Sequence, residues 1–243
     1  MTTVTVAPEK LAILDTLAIN KSAHESFDQG HCAMELVAWL AGEPHSDAPA
    51  CACPVISRAV IRLNDRMPSD EMRAELLRPL LPRIVGSRST RVVQVKRAYI
   101  AADMACRVFA PMALEARGKL DLAAGLRALA PITDTETAKA AKEKCRAAAA
   151  AAAYAAYAAA AAAAYAAADD AYAAAAYDAA AAAAAAAAYD DAAAAAAAAA
   201  AYDAAAAAAA AAAYDAAAAD AAARKQVFTE GVRMIGLMLD VRE

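Results

Sequence analysis

Apolar positions in the first 146 residues recur with a helical rather than a strand period. In "APEKLAILDTLAIN", Leu11, Ile13, Leu14, Leu17 and Ile19 make a broad apolar face, and Pro8 stands where a first helical turn tolerates proline. "GHCAMELVAWLAG" predicts a second helix that buries Met34, Leu36, Val37, Trp39 and Leu40, with Gly42 available as a left-handed stop. "EPHSDAPACACP" has no period and reads as a loop, after which "PVISRAVIRLNDRM" resumes a helix. Ser69 in "PSDEMRAELL" is an N-cap with acids in the first turn behind it. Pro79 and Pro82 break "LLRPLLPRIVG" into short or kinked pieces. "TRVVQVKRAYIAADMACRVFA" is the best long helix in this region, ended or bent by Pro111. "KLDLAAGLRALA" adds a short one, and Thr135 or Thr137 caps the helix that runs into alanine. Alternating runs are few, so strands are not expected.

Beyond Arg146 the pattern changes character. From Tyr177 to Asp215 three runs of ten alanines are each bounded by Tyr-Asp. Large apolar residues return only after Ala223, in "RKQVFTEGVRMIGLMLDV", where Val227, Phe228, Val232, Ile235 and Leu239 form an amphipathic side. The chain therefore reads as all-α, with a helical head domain over 1–146, an Ala/Tyr/Asp repeat over 147–222 and a C-terminal capping helix over 223–243.

Alanine has the highest helix propensity, so helix is the first expectation for the repeat. One unbroken helix over 147–222 would be about 114 Å long. Its tyrosines would fall on three separate lines, which leaves no single seam for a two-stranded coil. The alternative is a stack of short helices, with Asp178, Asp191, Asp203 and Asp215 as N-caps and Tyr177, Tyr189, Tyr202 and Tyr214 as staples at the joints. Such helices are marginal alone and must pack on one another, with the head and tail as end caps. Against stacking, the joints hold no Gly, Pro or Asn. A silk-like stacked strand is a minor third form. An expanded codon repeat acting as a spacer is the plain reading beside all three.

Charge narrows the functions. Residues 1–146 carry 20 basic and 17 acidic side chains, while the repeat carries eight Asp and no Lys or Arg. Neither is basic enough for strong nucleic-acid binding, and repeated carboxylates in a segment without Leu, Ile, Val or Phe rule against a membrane span. The N-terminus lacks a basic start and apolar block, so a cytoplasmic protein with reduced thiols is expected.

The densest polar cluster is "HCAMELVAWLAGEPHSDAPACAC". His31, Cys32, His45, Cys51 and Cys53 offer ligands from which a tetrahedral zinc site needs four, although the spacing is irregular and no Cys-x-x-Cys pair exists. With no metal, these thiols pack as small hydrophobes. Cys32 or Cys51 with His31 or His45 is the one nucleophile and base pairing on offer, with Glu35, Glu43 and Asp47 nearby. No phosphate-binding glycine loop, nucleophile elbow or His-Glu-x-x-His motif occurs, and the reading is non-enzymatic with no cofactor beyond that zinc alternative. Arg58, Arg62 and Arg66 share one helical face, followed by Arg83, Arg88, Arg91, Lys96 and Arg97. These contact phosphates, pair with local acids or face the acidic repeat.

The run "CAMELVAWLAGEPHSDAPACACPVI", then "LNDRMPSDEMRAELLRPLLPRIVGSRST" and the later alanine-rich tract, resembles an uncharacterised alanine-rich protein family of actinobacteria and their phages. The resemblance covers about half the chain. It implies a bacterial or phage cytosolic origin and carries no activity or site residues with it. The expectation is a structural, self-associating homo-oligomer on an alanine-rich scaffold. The alternatives are an ice-binding protein, which the methyl-rich tract resembles although it has no threonine, and a head that binds metal or nucleic acid.

Overall fold

The computed structural model describes residues 6–116, 118–142 and 221–241, together with 144, 145, 147 and 148. All regular structure among them is helical, with no strand. No described helix is long and apolar enough to cross a membrane. The eight Tyr and Asp positions proposed as scaffold joints, Tyr177, Asp178, Tyr189, Asp191, Tyr202, Asp203, Tyr214 and Asp215, lie outside the described residues.

The chain forms two compact units, Met1–Arg97 with Gly231–Glu243, and Ala98–Glu230. The second half of the helix expected as a C-terminal cap lies in the same unit as residues 6–97.

In the first unit α1 covers Pro8–Leu14, α2 Ala33–Ala41, α3 Pro54–Arg66, α4 Asp70–Leu77 and α5 Leu81–Ile84. Local chemistry explains most of these limits. Pro8 and Pro54 open α1 and α3 at the first helical position, where a missing N–H costs nothing. Ser69 caps α4 by accepting the amide of Met72 at 3.3 Å. α2 ends at Gly42 in the left-handed conformation. Pro79 and Pro82 confine the next stretch to a 3-10 turn, Arg78–Leu80, and the one-turn α5.

α2 packs on α3 and α5, and Leu36, Leu40, Ile56, Leu77, Leu81 and Ile84 are buried in this unit. Each such side chain contributes about 1.5–3 kcal/mol on burial. Two corrections to the periodic reading belong here. α1 is shorter than its apolar pattern and turns Leu11 and Ile13 to solvent, 42% and 47% exposed, and Trp39 is half-buried.

Two buried arginines finish helix ends. Arg73 donates to the carbonyls of Asn64 and Met67 at the end of α3, and to Asp70. Arg97, expected among the phosphate-contacting residues, is 4% exposed. It donates to the carbonyls of Ser87, Met238 and Val241 at 2.6, 2.9 and 3.4 Å. A fixed planar fork satisfying several orphan carbonyls suits Arg, and this task removes it from the solvent.

α6, Arg91–Met104, runs into a π-helical turn at Ala105–Phe109, and α7, Ala110–Ala116, continues from it. Pro111 therefore does not end the helix. It has no N–H to give, and the wider turn immediately before it accommodates the break in the hydrogen-bond ladder. In the second unit α7 packs on α8, Leu120–Arg127, and both pack on the π turn, with Phe109 and Leu126 buried. The next helical stretch begins at residue 135. Its cap is Asp134, which accepts the amide of Thr137 at 2.9 Å, while the Thr137 hydroxyl oxygen takes the amide of Thr133. In "TDTET" the charged acceptor, a stronger N-cap than threonine, takes the capping position from Thr135 and Thr137. α9, Ala221–Asp240, buries Val227, Phe228, Ile235 and Leu239 as the amphipathic pattern predicts, with Met234 and Met238 added, while Val232 is half-buried.

Candidate functional site

The polar centre of the first unit is Glu35, in the first turn of α2 and 1% exposed. Its Oε2 accepts the amide of Cys32 at 2.7 Å and stands 2.9 Å from Nδ1 of His24. Its Oε1 accepts the amide of His24 at 2.7 Å and stands 3.3 Å from Nε2 of His45. An ionised carboxylate has about four lone-pair sites; three of them take hydrogen bonds here, and His45 stands over the same carboxylate. One acid thus ties the segment before α2 and the segment after it onto the helix start.

These neighbours set the tautomers. His24 carries its proton on Nδ1, facing the carboxylate. His45 carries one on Nε2, between Glu35 and the carbonyl oxygen of His24 at 3.1 Å. That leaves Nδ1 of His45 buried without a partner, and Nδ1 of His31 is in the same condition. Phe27 packs beside both, its ring centroid 4.5 Å from that of His31 and 6.5 Å from that of His45, and stacks on Trp39 at 5.7 Å. Lys10 donates to the Trp39 carbonyl and holds its ammonium 5.2 Å from the indole centroid. Asn64 completes the support: it accepts the Ala33 amide at 3.2 Å and donates to the Asn20 carbonyl at 2.9 Å.

Electrostatics follow from this packing. Burial works to raise the pKa of Glu35, but the amides of His24 and Cys32 and the His24 ring more than offset it, leaving the carboxyl below its usual value. Burial, with the Glu35 carboxylate adding to it, pushes the Cys32 thiol up to about 12. Burial likewise raises Cys51, beside Glu43. Nucleophilic and metal-binding cysteines are thiolates, and both environments keep the proton on sulfur.

The five sequence-predicted metal candidates do not converge. His45 joins Glu35, His31 packs on Phe27, and Cys32 is the N-cap of α2. Cys51 and Cys53 enter α3, their amides held by Glu43 Oε1 at 2.8 Å and by the Ser87 hydroxyl at 3.0 Å. All five cysteines of the chain are free thiols, and among the described residues no group of three or more His, Cys, Asp or Glu is arranged to hold a metal ion.

His24 is the residue that sequence reasoning missed, together with the role of Glu35 and of Phe27. A signal for Glu35 was present: Cys32-x-x-Glu35 is a capping box with cysteine in the place of serine or threonine. Comparison of the chain with protein-family models, with curated proteins and with solved structures gave no match.

Proposed function

We propose that the chain is a non-enzymatic structural protein that self-associates through its alanine repeat, with the helical head holding the repeat at both ends. The observation that carries this reading is the return of the chain to the N-terminal unit after the repeat. Residues 231–241 share that unit with residues 6–97, Arg97 takes the carbonyls of Met238 and Val241, and Arg83 pairs with Asp240 at 2.8 Å. A dispensable tail needs no such anchorage. A segment of methyls punctuated by Tyr-Asp, entered and left through folded helices, suits a module that packs against copies of itself.

The state of the head supports the same reading. Its most chemically capable carboxylate already accepts three hydrogen bonds from protein donors, and the Cys32 thiol beside it is held protonated.

The test is sedimentation over a range of concentrations, comparing the full chain with a variant whose residues 149–220 are replaced by a short Gly/Ser linker. The full chain should associate as concentration rises, while the variant stays monomeric and keeps the thermal transition of the head. Equal association of the two proteins overturns the proposal.

A further inference from the structure

A groove of about 390 Å³ lies between the loop that precedes α3, the first two turns of α3 and Arg88. Its lining is mainly apolar, with Pro49, Pro54 and Ile61, and its volume is within the range of small-molecule sites. Two guanidinium groups line it. Arg88 is held to the loop from two directions, its amide donating to the Cys51 carbonyl at 2.9 Å and its side chain to the Ala50 carbonyl at 3.2 Å. One of its five N–H donors is thereby used, and no group among the described residues takes the others. Arg58 is exposed, and no group among the described residues takes its donors. Asp47 is the single acid on the lining, so the cations outnumber it.

Guanidinium groups match the geometry of carboxylate and phosphate oxygens, and two of them on a mainly apolar lining recognise a particular kind of molecule. We propose that this groove binds a small organic oxyanion, a carboxylate or phosphate monoester on an apolar body, with the charged head between Arg58 and Arg88 and the body on the proline and isoleucine side chains. The groove is lined by residues of the 47–88 stretch alone, so the proposal does not rest on self-association.

Titration calorimetry of the full chain with phenyl phosphate, benzoate and inorganic phosphate tests it. At least one organic anion should bind saturably and more tightly than inorganic phosphate, and whichever of the two binds better identifies the head group. Arg58→Ala should weaken that binding about tenfold, the equivalent of one charge-assisted hydrogen bond. Since Arg58 is exposed and pairs with no group among the described residues, an unchanged thermal transition should accompany the loss. Asp47→Asn should tighten binding by removing the opposing charge. No saturable heat from either organic anion, equal affinity for inorganic phosphate, or binding unchanged in Arg58→Ala would each overturn the assignment.

Discussion

Glu35 and Asp103 perform the same mechanical task in different units, and their surroundings make them unlike. Asp103 on α6 accepts the amide of Ile132 at 2.9 Å, tying a loop to a helix, and it is clasped by Arg107 one turn later at 3.0 and 3.1 Å. Both members of that pair are about a quarter exposed, so water still screens them. Glu35 holds two loop segments, is removed from water and faces two histidines in place of an arginine. A tether can therefore be an inexpensive surface clasp or a buried knot on which a whole region depends, and the amount of water left around it decides which.

Substitution should expose the contrast. Glu35→Ala leaves the amides of His24 and Cys32 without acceptors inside the unit, each a penalty of about 1–3 kcal/mol, and the expected loss is roughly 3 kcal/mol or more. Asp103→Ala frees a single amide, that of Ile132, and a guanidinium that water still reaches, and about 1 kcal/mol should be lost. Urea unfolding monitored separately in each unit measures both. Equal losses would show that burial is not what distinguishes the two tethers.

Two glycines refine the same comparison with a smaller effect. Gly30 has φ +133°, and a Cβ there would meet the His24 ring at 2.8 and 2.9 Å and the Asn20 side chain at 3.1 Å. Gly118, beside α7, has φ +71°, with nothing within 4 Å of an added Cβ. Gly118→Ala should cost about 1 kcal/mol of backbone strain alone. Gly30→Ala adds displacement of the ring that binds Glu35 and should cost about 2 kcal/mol or more, read from thermal midpoints.

Much of the fold was legible because its signals are local. Pro8, Gly42, Pro54 and Ser69 act within one turn, and each stands where the pattern places it. Arg97 looked like one more cation in a basic stretch because the carbonyl that buries it is 141 residues away. The Glu35 knot was hidden for another reason. Its partners are only 11 and 10 residues distant, but which way two irregular loops fold back is decided by packing around Phe27, and no period in the sequence encodes that. The alanine repeat is the converse, regular in sequence and compatible with more than one helical arrangement.

Acidity should separate the tethers next. The Glu35 carboxyl titrates below its unfolded value, so its contribution to stability is full above about pH 4.3 and is lost as pH falls through the lower folded value. Glu35→Gln cannot titrate. The stability gap between the native chain and Glu35→Gln should be constant from neutral pH down to about pH 5 and narrow below about pH 4. A gap that stays constant down to pH 2 would mean that the carboxylate charge is not what its neighbours hold.

The smallest effect is the most local. Cys32 and Cys106 are both buried thiols beside one of the two acids: burial and Glu35 raise Cys32, while the neighbouring Cys145, burial and, more weakly, Asp103 raise Cys106. With its pKa near 12, about one Cys32 in ten thousand is a thiolate at pH 8, against roughly a quarter of unfolded cysteines. Iodoacetamide labelling followed by peptide mass analysis should therefore be slow at both positions in the native chain. Glu35→Ala admits water at the start of α2 and should accelerate labelling of Cys32 by about tenfold, with Cys106 unchanged. Asp103→Ala should do the reverse and more weakly, since Asp103 is the least of the influences on Cys106. If either substitution accelerates both cysteines equally, labelling passes through global unfolding, and the two acids are not independent tethers.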